Sequence, residues 1–178
     1  MSSVPIYSQP DNFTCVPTSL KMVMDYLNAT KLASKMQTLS VAEIAKIVNT
    51  DILGTEIEDV KNLNSHAAVT QAIPSVEFDA SMKPRELEDI EGDIKAGLPP
   101  ICWITKGKAP YQWKHAVVVT GVDRRTGAVQ YIDPAYGALK VESLQEFTQE
   151  WYDSDRVMVR VILGRKESRK ITEYMPGR

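Results

Sequence analysis

Leu20, Val23, Met24 and Leu27 recur at three- and four-residue intervals behind Pro17. That spacing predicts a helix over about 17–28 with one apolar face on a core. Pro17 suits the first helical turn, where its missing N–H would have no partner anyway. Three further helices are predicted from capping boxes, a Ser or Thr followed three residues on by Glu. Ser40-Val-Ala-Glu43 opens 41–48, Thr55-Glu-Ile-Glu58 opens a short helix to about 63, and Ser143-Leu-Gln-Glu146 opens one ending near Trp151. Another, from Pro84 to Ala96, starts on proline and stops at Gly97, with Leu87, Ile90 and Ile94 inward.

Strand patterns concentrate in the second half: 101–105, 116–123, 128–133 and 156–163. In the last of these, Val157, Val159 and Val161 alternate with Met158 and Arg160, the mark of a half-buried strand. The stretch 69–78 is a further strand candidate, interrupted by Pro74. Helices precede strands, so the expected fold class is α+β, a helical lobe packed on an antiparallel sheet. The length of 178 residues suits a single domain, with 165–178 as a solvated tail.

Composition narrows the function classes. A formal net charge of −2 gives no electrostatic footprint for nucleic acid. The longest uncharged apolar run, 116–122, is far too short for a membrane span. With no leader recognisable, the expected compartment is cytoplasmic. Neither cysteine belongs to a CxxC pair, which argues against a zinc site. A disulfide between Cys15 and Cys102 is conceivable, but Cys102 lies in a buried-looking strand and reads as a small hydrophobe.

Cys15 sits at the start of the first helix, where unpaired N–H groups and the helix dipole favour a thiolate. His115 opens an apolar strand, and strand ends are where functional loops collect. The turn signal Asp123-Arg-Arg-Thr-Gly127 makes the flanking strands a hairpin. If that turn centres on Arg125, residue 115 faces residue 135. Asp133 is then a diagonal neighbour on the same face, roughly 7–8 Å away between Cα atoms. A register shifted by one would put it on the other face. Gln9 could lend its side-chain N–H₂ to a developing oxyanion, together with the Cys15 backbone N–H. Each residue alone has an ordinary structural role: a buried thiol, a core histidine, a turn aspartate before Pro134, a surface amide. Together they are the parts of an activated cysteine nucleophile and point to a cysteine hydrolase.

The combination Gln9-x5-Cys15-x-Pro17-x-Ser19, His115-Ala-Val-Val-Val-Thr-Gly121 and Tyr131-Ile-Asp133-Pro134 resembles the double-glycine, bacteriocin-leader-processing cysteine peptidases. It is closest to their stand-alone, transporter-free forms. The likeness continues through Gly137 and Ser143-Leu-Gln-Glu-Phe147 to Trp151, while residues 30–95 add little. The resemblance implies a papain-like fold with Cys15 as nucleophile, His115 as general base and acid, Asp133 orienting the imidazole and Gln9 stabilising the oxyanion. It departs at Val16 and at Trp113-Lys114, where glycine is frequent in those relatives, so the cleft wall is expected to be bulkier. Export-coupled leader cleavage does not carry over. The expected partner is a peptide or protein substrate, no metal or organic cofactor is called for, and the oligomeric state is left open. Two other readings stand beside peptide hydrolysis: amide transfer in the manner of phytochelatin synthases, and an inactive peptide-binding module of the same fold.

Overall fold

A computed structural model describes residues 3–30, 39–72 and 76–164. Helix α1 (Cys15–Ala29) is central: Val16 to Leu20, Met22 to Met24 and Leu27 are all buried. Its sides are therefore enclosed by protein rather than by one core and water. α2 (Val41–Ile47) opens on the Ser40/Glu43 capping box. α5 (Leu144–Tyr152) opens on Ser143, whose hydroxyl accepts the Glu146 N–H.

The box expected at Thr55 does not form. Its hydroxyl is engaged with that of Thr50 at 2.7 Å. A 3₁₀ helix, Ile57–Ser65, starts from Glu56 without a side-chain cap. The stretch expected as one strand over 69–78 is divided between α3 (Ala67–Ala72) and β1 (Val76–Asp79), and its interruption at Pro74 lies outside the described residues. The His66 carbonyl accepts from Val69 and Thr70, which winds that segment into a helical turn. α4 (Leu87–Lys95) begins three residues after Pro84. Arg85 donates its N–H to the Arg156 carbonyl and its guanidinium to Asp79, which holds the chain extended up to Glu86. Ile90 is buried, and Leu87 and Ile94 pack beside it as expected.

The sheet is antiparallel throughout, in the order β1-β6-β2-β3-β4-β5. Its remaining strands are β2 (Ile101–Lys108), β3 (Tyr111–Asp123), β4 (Ala128–Asp133), β5 (Ala138–Ser143) and β6 (Met158–Leu163). Both faces are covered. Ile101, Trp103, Ala116, Val118 and Val159 join α1, α2 and the 3₁₀ helix in one apolar cluster. Cys102, Ile104, Val117, Val119 and Met158 join Phe147 and Trp151 of α5 in another. The helical lobe thus packs on one face of the sheet, with α4 and α5 on the other. Cys102 is free and fully buried, as its apolar strand implied, and burial pushes its thiol well up. β5 was not anticipated. β2 and β3 also run further than expected, because 111–114 pair with Thr105–Lys108 beyond the core. Among the described residues no helix is long and apolar enough to cross a membrane. The expected tail, 165–178, lies outside the described residues.

Candidate active site

The loop before α1 is organised by Asp11. One carboxylate oxygen accepts the N–H groups of Phe13 and Thr14 at 3.1 and 3.0 Å and the Thr14 hydroxyl at 2.8 Å. Cys15 is the first residue of the helix. Pro17 has no N–H, and the Thr18 N–H is bonded to the Thr14 carbonyl. Among the described residues the Cys15 and Val16 N–H groups are the first-turn donors left without a partner. A helix start with free donors stabilises an anion, by about 0.3–1 kcal/mol for the dipole alone.

His115 lies inside β3, paired with Ile104, and not at the mouth of a strand as the sequence implied. It marks instead the point where β3 enters the body: 111–114 are exposed and 115–119 buried. Its Nε2 is 2.7 Å from Asp133 Oδ1, and both side chains are almost wholly buried. The same oxygen accepts the Ala135 N–H at 2.9 Å, which fixes the carboxylate on the turn after β4. The other ring nitrogen, Nδ1, is not used by Asp133, and Cys15 lines the same cleft as the ring.

Burial alone would depress the imidazole pKa. The hydrogen bonds to Asp133 and Cys15, and the charges of both, outweigh it and raise it from 6.5 to about 9. Burial alone would raise Asp133. The hydrogen bond and charge of His115, the Ala135 N–H and the charge of Lys140 turn the net shift downward. At neutral pH the imidazole is therefore a cation, paired with the Asp133 carboxylate and beside Cys15. Such a set can attack a carbonyl through sulfur and hand a proton to a leaving group.

The register behind this contact has two parts. At the turn, Asp123 pairs with Ala128, so the hairpin centre lies half a residue beyond Arg125. The Asp123 carboxylate accepts the N–H groups of Arg125 and Thr126 there. Between Val119 and Gly121 the pairing slips by one, with Val118 opposite Ile132. Carried on toward the site, that ladder sets 115 against 135, the register expected from the sequence.

Gln9 reaches the same cleft. Its backbone N–H donates to the Pro134 carbonyl at 2.8 Å, tying the N-terminal segment to the turn that carries Asp133. Its side-chain N–H₂ donates to the Asp11 carbonyl, and its Oε1 is buried with no hydrogen-bond partner among the described residues. The cleft, about 520 Å³, is lined by Gln9, Phe13, Cys15, Trp113 and His115 and by the turn Ile52-Leu53-Gly54. That turn was missed in the sequence. Its signal was two adjacent apolar residues outside any periodic element, and both are exposed, Ile52 at 82% and Leu53 at 91%. Asp11 was missed too, although Asp-x-x-Thr ahead of a helix is a turn-forming pattern.

A central helix led by a cysteine, packed across an antiparallel sheet that carries the histidine and aspartate, defines a papain-like α+β fold. A family profile described as the Peptidase_C39 like family matches residues 1–159, and the chain belongs to that family. No curated protein and no solved structure matches it.

Proposed function

We propose that this protein is a cysteine peptidase that hydrolyses a peptide bond through an acyl-enzyme on Cys15. The observation that carries the reading is the buried His115–Asp133 pair, with Cys15 at a helix N-terminus lining the same cleft as the imidazole. The Cys15 thiolate attacks the scissile carbonyl carbon. The backbone N–H of Cys15, at the start of α1, and the Gln9 side-chain N–H₂ are the donors offered to the oxyanion. His115 Nδ1 delivers its proton to the leaving nitrogen, the C–N bond breaks, and a thioester forms. Water then attacks the thioester, His115 takes its proton, and the thiolate leaves with the electron pair of the C–S bond. Asp133 holds the ring and the imidazolium charge and exchanges no proton itself. Family membership supports a peptidase and a peptide or protein substrate.

The test is incubation with a mixture of proteome-derived peptides and mass spectrometry of the products, for the native chain and for Cys15→Ala. New termini that depend on Cys15, with an acyl adduct on Cys15 after rapid quenching, are the expected result. Cleavage that persists in Cys15→Ala overturns the assignment.

A further inference from the structure

A second cavity, about 350 Å³, also opens beside His115. Lys106, Trp113, Tyr131, Tyr136 and Lys140 line it together with His115. His115, Trp113 and Ala135 line this cavity and the Cys15 cleft alike, so the two adjoin at these residues. The reaction gives the two halves different occupants. The acyl portion of a substrate lies over Cys15. On the proposed mechanism the departing amine takes its proton from His115, so the chain beyond the cut bond leaves on the His115 side, which the second cavity adjoins.

The charges in that cavity are unequal in availability. Lys106 is committed: its ammonium meets Glu142 at 3.2 Å, Glu150 at 2.5 Å and the Tyr131 hydroxyl at 3.3 Å. Asp133 is committed to His115. Lys140 is not. It sits 3.9 Å above the Tyr136 ring and has no carboxylate partner among the described residues. Its charge nonetheless reaches Asp133. The walls include aromatic rings left open to water, Trp113 at 58% and Tyr136 at 70% exposure. Trp113 is held by close approach to backbone: Gly107 has φ +86°, and a Cβ there would stand 2.8 Å from the indole.

We propose, resting on the peptidase reading, that this cavity is the leaving-group subsite and that Lys140, seated on Tyr136, selects a carboxylate there. The carboxylate is either an acidic side chain shortly after the cut bond or the free C-terminus of a short departing peptide. A cation over an aromatic face keeps its charge while its position is fixed, which suits recognition of a single anion.

The experiment measures acyl partitioning and needs no knowledge of the natural substrate. A small p-nitrophenyl ester acylates Cys15, and the thioester is offered dipeptide acceptors in competition with water. The acceptor nitrogen forms the new C–N bond, the C–S bond breaks, the thiolate leaves with the electron pair, and the amine proton passes to His115. Acceptors are Gly-Glu-amide, Gly-Lys-amide, Gly-Leu-amide and Gly-Leu with a free carboxylate. The expected ratio of aminolysis to hydrolysis is roughly two- to fivefold higher for Gly-Glu-amide than for Gly-Lys-amide, the range for an ion pair partly open to water. A matching gain for free Gly-Leu over its amide assigns the C-terminal source, and its absence assigns the side chain. Lys140→Glu should reverse the Glu/Lys order, and Lys140→Ala should flatten it. Equal ratios for all acceptors, or an order that survives both variants, overturn the subsite. Absence of a Cys15-dependent p-nitrophenol burst overturns the peptidase reading itself, and the subsite with it.

Discussion

Asp133→Asn removes one negative charge from beside His115 and keeps an oxygen able to accept the Nε2–H bond. In the native chain the imidazole is held at about 9 against an ordinary 6.5, on the order of 3 kcal/mol in favour of the cation at about 1.36 kcal/mol per unit. Burial opposes that shift, and the hydrogen bond to Asp133 is the foremost of the effects that overcome it. An opposite charge at this range contributes about 1–3 units, so the variant should bring the imidazolium step down by about one unit or more. The sign follows from the reaction. On the proposed mechanism amide cleavage needs His115 protonated, so kcat/KM should be present below the imidazolium step and be lost as pH rises through it. Its alkaline limb should lie near 9 in the native chain and move acidward in Asp133→Asn. An anilide or peptide substrate is required, because a p-nitrophenyl ester expels a phenolate that needs no proton. The chain has two histidines, so ¹⁵N-histidine NMR reads the same step directly, with His115→Ala assigning the signal. Asp133→Asn should keep the fold and part of the turnover. Asp133→Ala, which also strips the Ala135 N–H of its acceptor, should lose more. An unchanged His115 titration in Asp133→Asn refutes the electrostatic account, and full turnover in Asp133→Ala would reduce the carboxylate to a turn residue.

Iodoacetamide should label Cys15 far faster than buried Cys102, and His115→Ala should slow that labelling; equal labelling of the two thiols over about pH 5–9 would falsify the nucleophile assignment. Gln9→Ala should lower kcat by roughly 10²–10³ while iodoacetamide still alkylates Cys15 at nearly the native rate, because alkylation forms no oxyanion. Normal turnover in that variant places the donor elsewhere, and collapsed alkylation makes Gln9 a support of the thiolate. Gly137→Ala should lower stability by about 1–3 kcal/mol, read from the urea midpoint, because φ is +55° and the new Cβ would collide with the Ser8 hydroxyl. Adding Ser8→Gly should recover the steric share, and an unchanged midpoint in Gly137→Ala shows that the turn does not grip the N-terminal segment.

Periodicity exposed the elements whose apolar side chains enter a core, and little else. α1 and the strands around Val117 and Val159 were legible because burial there is nearly complete. β5 was not, because its apolar residues face water: Leu139 is 49% and Val141 64% exposed. The 3₁₀ helix and the late start of α4 depend on partners distant in sequence or on competing local hydrogen bonds, Thr50 for Thr55 and Asp79 and Arg156 for Arg85. Capping arithmetic cannot see those. The grouping of Cys15, His115, Asp133 and Gln9 was more legible than the fold around it, since a cysteine, a histidine, an aspartate and a glutamine each carry chemistry that few other residues supply. Its substrate-facing walls were less so, because Ile52, Leu53 and Trp113 are apolar residues whose exposure is decided by the tertiary structure.

The contact between His115 and Asp133 shows how narrowly strand parity can be read from sequence. A hairpin centred on Arg125 and running without irregularity puts both side chains on one face. The actual turn is half a residue further on, and a regular ladder from it would set 115 against 136 and send Asp133 to the opposite face. The slip between Val119 and Gly121 restores the pairing. Two departures from the expected geometry therefore cancel at the site. Nothing in the apolar pattern announces the slip, since valines lie on both sides of it and both sheet faces there are covered. A bulge of this kind re-aims side chains by one position at the cost of a local ladder interruption. Here it lies in β3 between the turn and the buried histidine, where it brings the imidazole and the carboxylate onto the same face.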